Sequence, residues 1–310
     1  MTFIEGTKNV SARVLRAACA AAIGLMLSAA DVVHKEDMVG EIRHYTIQKE
    51  DTLLDVARQY DLGYVELVAA NPGVDAWIPK PGMRILLPTA HLIPDAPREG
   101  IVINVAEMRL YYFPADAGGV VTFPIGIGVE GWGTPLGTTR VVSKREHPTW
   151  TPPESIRIEH HGDLPAFVPP GPDNPLGDFA LDLGWPRYLI HGTNKPYGVG
   201  RRVSHGCIRL YPEDIKRLFG WVPVGTPVTV VDQQVKLGWV KGELYLEVHP
   251  SLAEANDIEI GTTPVPKPIP DLRERVKAAA GSKAGQVDWL LVDRTARDRR
   301  GIPVRITRGL

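Results

Sequence analysis

Two histidines and a cysteine share one short stretch, HGTNKPYGVGRRVSHGC, from His191 to Cys207. A thiol attacks a carbonyl as thiolate, and a free one near pKa 8.5 is mostly protonated at neutral pH. A catalytic cysteine therefore needs a neighbour that takes its proton or stabilises its charge. His191 and His205 are the candidates. If residues 205–207 form a short strand, His205 and Cys207 point to one face. Gly206 between them lets a substrate approach the backbone closely. The amides of Gly206 and Cys207 would then stabilise an oxyanion. Cysteine with two histidines is also a candidate metal set. A lone cysteine in apolar surroundings is, more blandly, a small buried hydrophobe.

The elements that must position these groups follow from the flanking residues. Tyr188-Leu189-Ile190 reads as a strand ending at His191. Gly192, Gly198 and Gly200 then break any regular element, and the chain returns through Arg202-Val203-Ser204. Pro212 to Phe219 reads as a helix, with Pro212 at its start and Glu213 and Asp214 in its first turn. Short β runs at 101–105, 109–113, 120–124, 138–143 and 226–231 are separated by Glu, Gly, Asp and Pro turns. This pattern predicts a mainly β, sandwich-like domain. Residues 144–187 are irregular and rich in Pro, Gly and aromatics, and such long loops are usually functional. His160 and His161 in that loop read as solvated.

Ser204-His205-Gly206-Cys207, with His191-Gly192-Thr193 upstream, resembles the signature of the L,D-transpeptidases of the bacterial cell wall. The likeness extends to Ile125-Gly126-Ile127-Gly128, Thr134-Pro135-Leu136-Gly137 and Pro148-Thr149-Trp150-Thr151-Pro152-Pro153-Glu154, and covers residues 98–232. It implies a β-sandwich catalytic domain and a thioester acyl transfer with no cofactor and no metal. Cys207 would attack the amide between meso-diaminopimelate and D-Ala, with His191 as base. Gly192 would orient His191 through its carbonyl, and the amides of His205, Gly206 and Cys207 would hold the oxyanion. Arg209 stands where some members carry Asn, and would either pair with a stem carboxylate or serve a structural ion pair. Ser204, on the substrate side, would hydrogen-bond locally rather than attack, the thiol being the better nucleophile. Arg201, Arg202 and Lys195 read as a solvated basic face. The acceptor would be diaminopimelate of another stem or an amine of an outer-membrane protein. An L,D-carboxypeptidase, a cysteine endopeptidase or a non-catalytic peptidoglycan-binding protein are the alternatives.

The rest of the 310 residues frames this centre. The composition, 44% hydrophobic and 23% charged, is that of an ordinary globular chain. A net charge of −1 argues against nucleic acid as partner. Arg13 and Arg16, the apolar run Ala17–Leu27 and Ser28-Ala29-Ala30 read as a secretory signal peptide over residues 1–30, hence a periplasmic protein. Its removal takes Cys19 and leaves Cys207 as an odd thiol in an oxidising compartment. Residues 43–88 read strand–helix–helix–strand, with Asp51-Thr52 as a cap and Asn71-Pro72-Gly73 as a stop. This βααβ unit resembles a LysM module, which implies glycan binding to peptidoglycan. A proline-containing linker follows at 89–99. Residues 233–310 read as a small C-terminal subdomain of unknown role. A hairpin turns at Lys241-Gly242, a helix spans 271–280, and a final strand is expected at Val287–Val292.

Overall fold

Thr52 shows how local chemistry sets the first helix. Its hydroxyl accepts from the Asp55 amide, satisfying a donor that the helix leaves unpaired. Such a cap is worth about 1 kcal/mol. In this computed structural model, which describes residues 36–115 and 119–308, the N-terminal part contains six elements. They are β1 (Met38–Gly40), β2 (Arg43–Thr46), α1 (Leu53–Gln59), α2 (Tyr64–Ala70), β3 (Arg84–Leu87) and β4 (Ala90–Leu92). β2 and β3 pair antiparallel over Leu53, Val56, Leu62 and Leu67, the βααβ order read from the sequence. Asn71 closes the unit, its side chain bonding to Leu67 and Leu86. The signal-peptide reading lies outside the described residues.

The middle of the chain builds one curled sheet. Its strands are β5 (Gly100–Asn104), β6 (Arg109–Phe113), β7 (Val121–Pro124), β9 (Gly137–Glu146), β10 (Phe179–Leu183), β11 (Leu189–His191), β13 (Ile208–Arg209) and β14 (Pro227–Val231). β8 (Ile127–Gly128) and β12 (Arg202–Ser204) pair separately. The sheet runs β13-β11-β10-β9-β14-β5-β6-β7. Ten-residue β9 belongs to both halves: Gly137–Arg140 pairs with β14 and Val141–Glu146 with β10. A strand that passes between sheet halves turns the corner of a sandwich-like fold. Helix α3 (Glu154–Glu159) interrupts the irregular 144–187 loop, and α4 (Pro212–Trp221) follows the site. The core joins Ile103, Leu110, Phe123, Leu181, Ile190 and Ile208, all fully buried.

Beyond residue 232, β15 (Val235–Val240) and β16 (Glu243–Val248) form the expected hairpin, with Lys241 and Gly242 both at positive φ as a tight turn requires. Helices α5 (Leu252–Glu259), α6 (Leu272–Ala280) and α7 (Trp289–Asp298) follow, and β17 (Val304–Arg305) adds to β16. The final strand expected at Val287–Val292 is a correction. Asp288 accepts from the Leu291 amide and starts α7, so Val292 is buried from a helix and the last strand lies further on.

Residues from Glu36 onward form one compact unit. A buried ion network ties its three segments. Lys236 of β15 donates to Glu107, to Tyr111 and to the Leu92 carbonyl, and pairs with Glu247 of β16 at 2.8 Å. Arg109 of β6 pairs with Glu66 of α2 at 2.7 Å and donates to the Asp61 carbonyl.

Candidate active site

Parallel pairing of β11 with β13 places Ile190 opposite Ile208 and His191 opposite Arg209. Both isoleucines are buried in the core. Side chains alternate along a strand, so His191 and Arg209 project to the opposite face; Cys207, in the turn just before β13, lines the same cleft. That face opens into a cleft of about 390 Å³, lined by Cys207, His191, His205, Arg209, Trp150 and Tyr188 among others.

His191 is buried, and its Nδ1 lies 2.6 Å from the Gly192 carbonyl. A carbonyl only accepts, so Nδ1 carries the proton and Nε2 keeps its lone pair. Burial, helped by the Arg209 cation, lowers the imidazole pKa to about 3. His191 is therefore neutral at physiological pH. The half-buried Cys207 thiol faces the Arg187 carbonyl at 3.5 Å. Burial raises its pKa; an amide contact from Leu189 and the charge of Arg209 oppose that rise. The resting thiol is protonated and shares its cleft with a neutral imidazole.

The turn before Cys207 corrects one expectation. Residues 205–207 are a bend, not a strand, because Gly206 takes a φ of +99°. A Cβ there would also meet the Tyr188 ring at 2.7 Å. Ser204 is buried and spends its hydroxyl within the turn, donating to the Cys207 carbonyl and accepting from the Gly206 amide. The Gly206 amide is thus engaged rather than open to an oxyanion. Thr134 donates to the Gly206 carbonyl from the other side.

His205 reaches the cleft differently from expectation. Its Nε2 lies 2.6 Å from Glu159 of α3, and its ring meets Trp132 edge-on at 5.1 Å between centroids. Sequence reasoning missed Glu159, which sits 46 residues away on a short helix with no motif of its own. It also missed the Arg145–Asp182 fork, with contacts of 2.9 and 2.8 Å on the cleft wall. Arg209 keeps a buried Nε with no hydrogen-bond partner. His160 and His161 are exposed, as a solvated loop requires.

Arg201 and Arg202 are not a solvated face. Arg202 bonds to the Leu252 carbonyl and to Asn256, both at 3.1 Å, and Arg201 lies over the Tyr64 ring at 4.6 Å. Lys195 alone of that trio is exposed. Among the described residues, a set of metal-ligand atoms converges at His91, Glu107 and Glu247, not at the cysteine. There the ammonium of Lys236 already bonds both carboxylates.

Comparison with known proteins decides the family. Residues 98–230 match the L,D-transpeptidase catalytic domain, and residues 45–88 the LysM domain. The probable L,D-transpeptidase YbiS of Escherichia coli K12 is 41% identical over 310 residues, covering 96% of this chain and 99% of that protein. The chain belongs to the L,D-transpeptidase family. The probable L,D-transpeptidase ErfK/SrfK of E. coli K12 is 44% identical over 280 residues, covering 88% of each chain. Among solved structures, the catalytic domain of the E. faecium L,D-transpeptidase aligns at a TM-score of 0.34 and 24% identity, covering 44% of this chain and 99% of that one. In the transpeptidase described here, the cleft at Cys207 lies inside the matched catalytic domain.

Proposed function

We propose that this transpeptidase works in the periplasm on peptidoglycan tetrapeptide stems, by acyl transfer through Cys207. The observation that carries the reading is the shared cleft of Cys207 and His191, with the imidazole tautomer fixed by Gly192. The Cys207 sulfur attacks the carbonyl of meso-diaminopimelate while His191 Nε2 takes the thiol proton. The carbonyl oxygen gains negative charge. Since Ser204 engages the Gly206 amide, the amides of His205 and Cys207 are left to stabilise that charge. The C–N bond to D-Ala breaks, and His191 returns its proton to the departing amine. An amine acceptor then attacks the thioester, losing its proton to His191 and freeing the thiol.

Arg209 supplies a planar cation whose buried Nε lacks a protein partner, which suits a carboxylate of the stem. The acceptor is an amine: diaminopimelate of a second stem, giving a 3→3 cross-link, or an amine of an outer-membrane protein. The LysM unit supplies affinity for the glycan. The leader-like residues 13–30 support export.

Mass spectrometry of tetrapeptide muropeptides incubated with the full chain tests this reading. Dimers lacking one D-Ala are the expected product. Bare tripeptides would show that water is the acceptor. An unchanged mixture, or product formed by Cys207→Ala, would refute acyl transfer at this sulfur.

A further inference from the structure

Strand β12 carries the chain into the turn that ends at Cys207. Its strand pairing is meagre: Arg202 opposite Ile127 and Ser204 opposite Gly128, with a shift of register between them. So short a pairing does not fix a strand by itself. Helix α5, outside the residues that match the catalytic domain, supplies further support.

Glu259 is the last residue of α5. Its Oε1 accepts the Arg202 backbone amide at 2.8 Å, and its Oε2 lies 3.6 Å from Arg201 Nε. Its own carbonyl accepts from the Arg201 guanidinium at 3.3 Å. Asn256 and the Leu252 carbonyl, on the same helix, take the Arg202 guanidinium. The Glu259 side chain is only 12% exposed. A carboxylate at a helix C-terminus opposes the helix dipole, and burial adds to the cost. Such a placement is unfavourable for α5 alone. It is compensated by the strand the carboxylate holds.

We infer that Glu259 is a positioning residue for acyl transfer: from the C-terminal segment it fixes β12, and through β12 the place of Cys207 relative to His191. The inference rests on Cys207 as nucleophile. It gives residues 233–310 a part in the reaction. Glu259 touches no substrate, so its loss acts on the height and angle of the sulfur. A misplacement of about 1 Å costs up to about a hundredfold in rate.

The test uses the full chain with Glu259→Gln, Asn256→Ala and Cys207→Ala. The readouts are kcat and KM on tetrapeptide muropeptides, the rate of Cys207 acylation by a carbapenem, and Tm. Glu259→Gln keeps the shape and an acceptor oxygen but removes the charge. It is expected to lower kcat and the acylation rate about tenfold or more, with KM within about twofold and little change in Tm. Asn256→Ala, which leaves Glu259 in place, is expected to lower kcat about threefold. Glu259→Gln with kcat within twofold of the parent would overturn the inference, as would a loss that tracks Tm alone. Should Glu259→Gln not fold, an unchanged kcat in Asn256→Ala would overturn it. Product from Cys207→Ala would instead remove the nucleophile on which the inference stands. An inactive Cys207→Ala beside an unaffected Glu259→Gln would defeat the positioning role alone.

Discussion

A neutral imidazole beside a protonated thiol and a thiolate beside an imidazolium hold the same number of protons. Their reactivity is therefore flat in pH between the lower and upper pKa of the pair. With His191 lowered to about 3 and Cys207 raised, that plateau spans the neutral range. The rate of carbapenem acylation is expected to vary by less than about twofold from pH 5 to pH 7.5. An acid limb centred near 6.5 would show an imidazole that burial does not perturb. Arg209 is one cause of the lowering, so Arg209→Gln is expected to move the acid limb upward and to raise KM. A limb that stays in place while KM rises would mean Arg209 serves binding alone. Glu159 gives a third test at this scale. Glu159→Gln is expected to reduce kcat about three- to tenfold, since His205 loses a charged partner at 2.6 Å; equal kcat would mean that contact is idle. Cys207 and His191 were legible because their types and spacing lie in one stretch. Glu159 was not, because only the fold brings the end of α3 to His205.

Helix α4 shows what a buried acid does to an element. Asp214 is fully buried in its first turn, its Oδ2 has no hydrogen-bond partner, and burial, with Asp61 nearby, raises its pKa to about 8. The folded state thus holds a proton that the unfolded chain releases near pH 4. Stability from this group is present in full below pH 4 and is lost as pH rises toward 8, by at most about 1.4 kcal/mol per pH unit. Asp214→Asn should lack that slope, so its Tm relative to the parent is expected to increase between pH 5 and pH 8.5. Parallel Tm curves would show Asp214 ionised in the native state. Element reading succeeded where the sequence carries explicit punctuation: Thr52 before α1, Asn71-Pro72-Gly73 after α2, Pro212 at the head of α4. It failed at Val287–Val292, where a short apolar run suits strand or helix equally. The Asp288 cap is the signal that decides for a helix.

Across the whole molecule, the three segments share buried charge. Lys236 lies between Glu107 and Glu247, with all three side chains almost wholly excluded from water. Lys236→Met would take the shared ammonium from two buried carboxylates, leaving them the His249 ring beside both, and is expected to destabilise the fold by about 3–5 kcal/mol, seen as a lower midpoint in heat or denaturant. A variant as stable as the parent would mean that the His249 ring suffices for both carboxylates. None of this network was legible from composition. Its members come from β4, the β5–β6 turn, β6, β15 and β16, and a charged residue in a strand reads as surface until the fold covers it.

The carbonyls of Val199 and Gly200, just before β12, accept from the first amides of α2, those of Tyr64 and Val65. A Cβ on Gly200 would stand 2.2 Å from the Gly63 Cα. Two backbones meet there with no room for a methyl group between them. The LysM unit is therefore not a bead on a tether, free to be exchanged for any other. A foreign module grafted ahead of residue 89 would have to bring its own helix start, its own glycine and the same approach, or the chain entering β12 would lose the partners of its Val199 and Gly200 carbonyls.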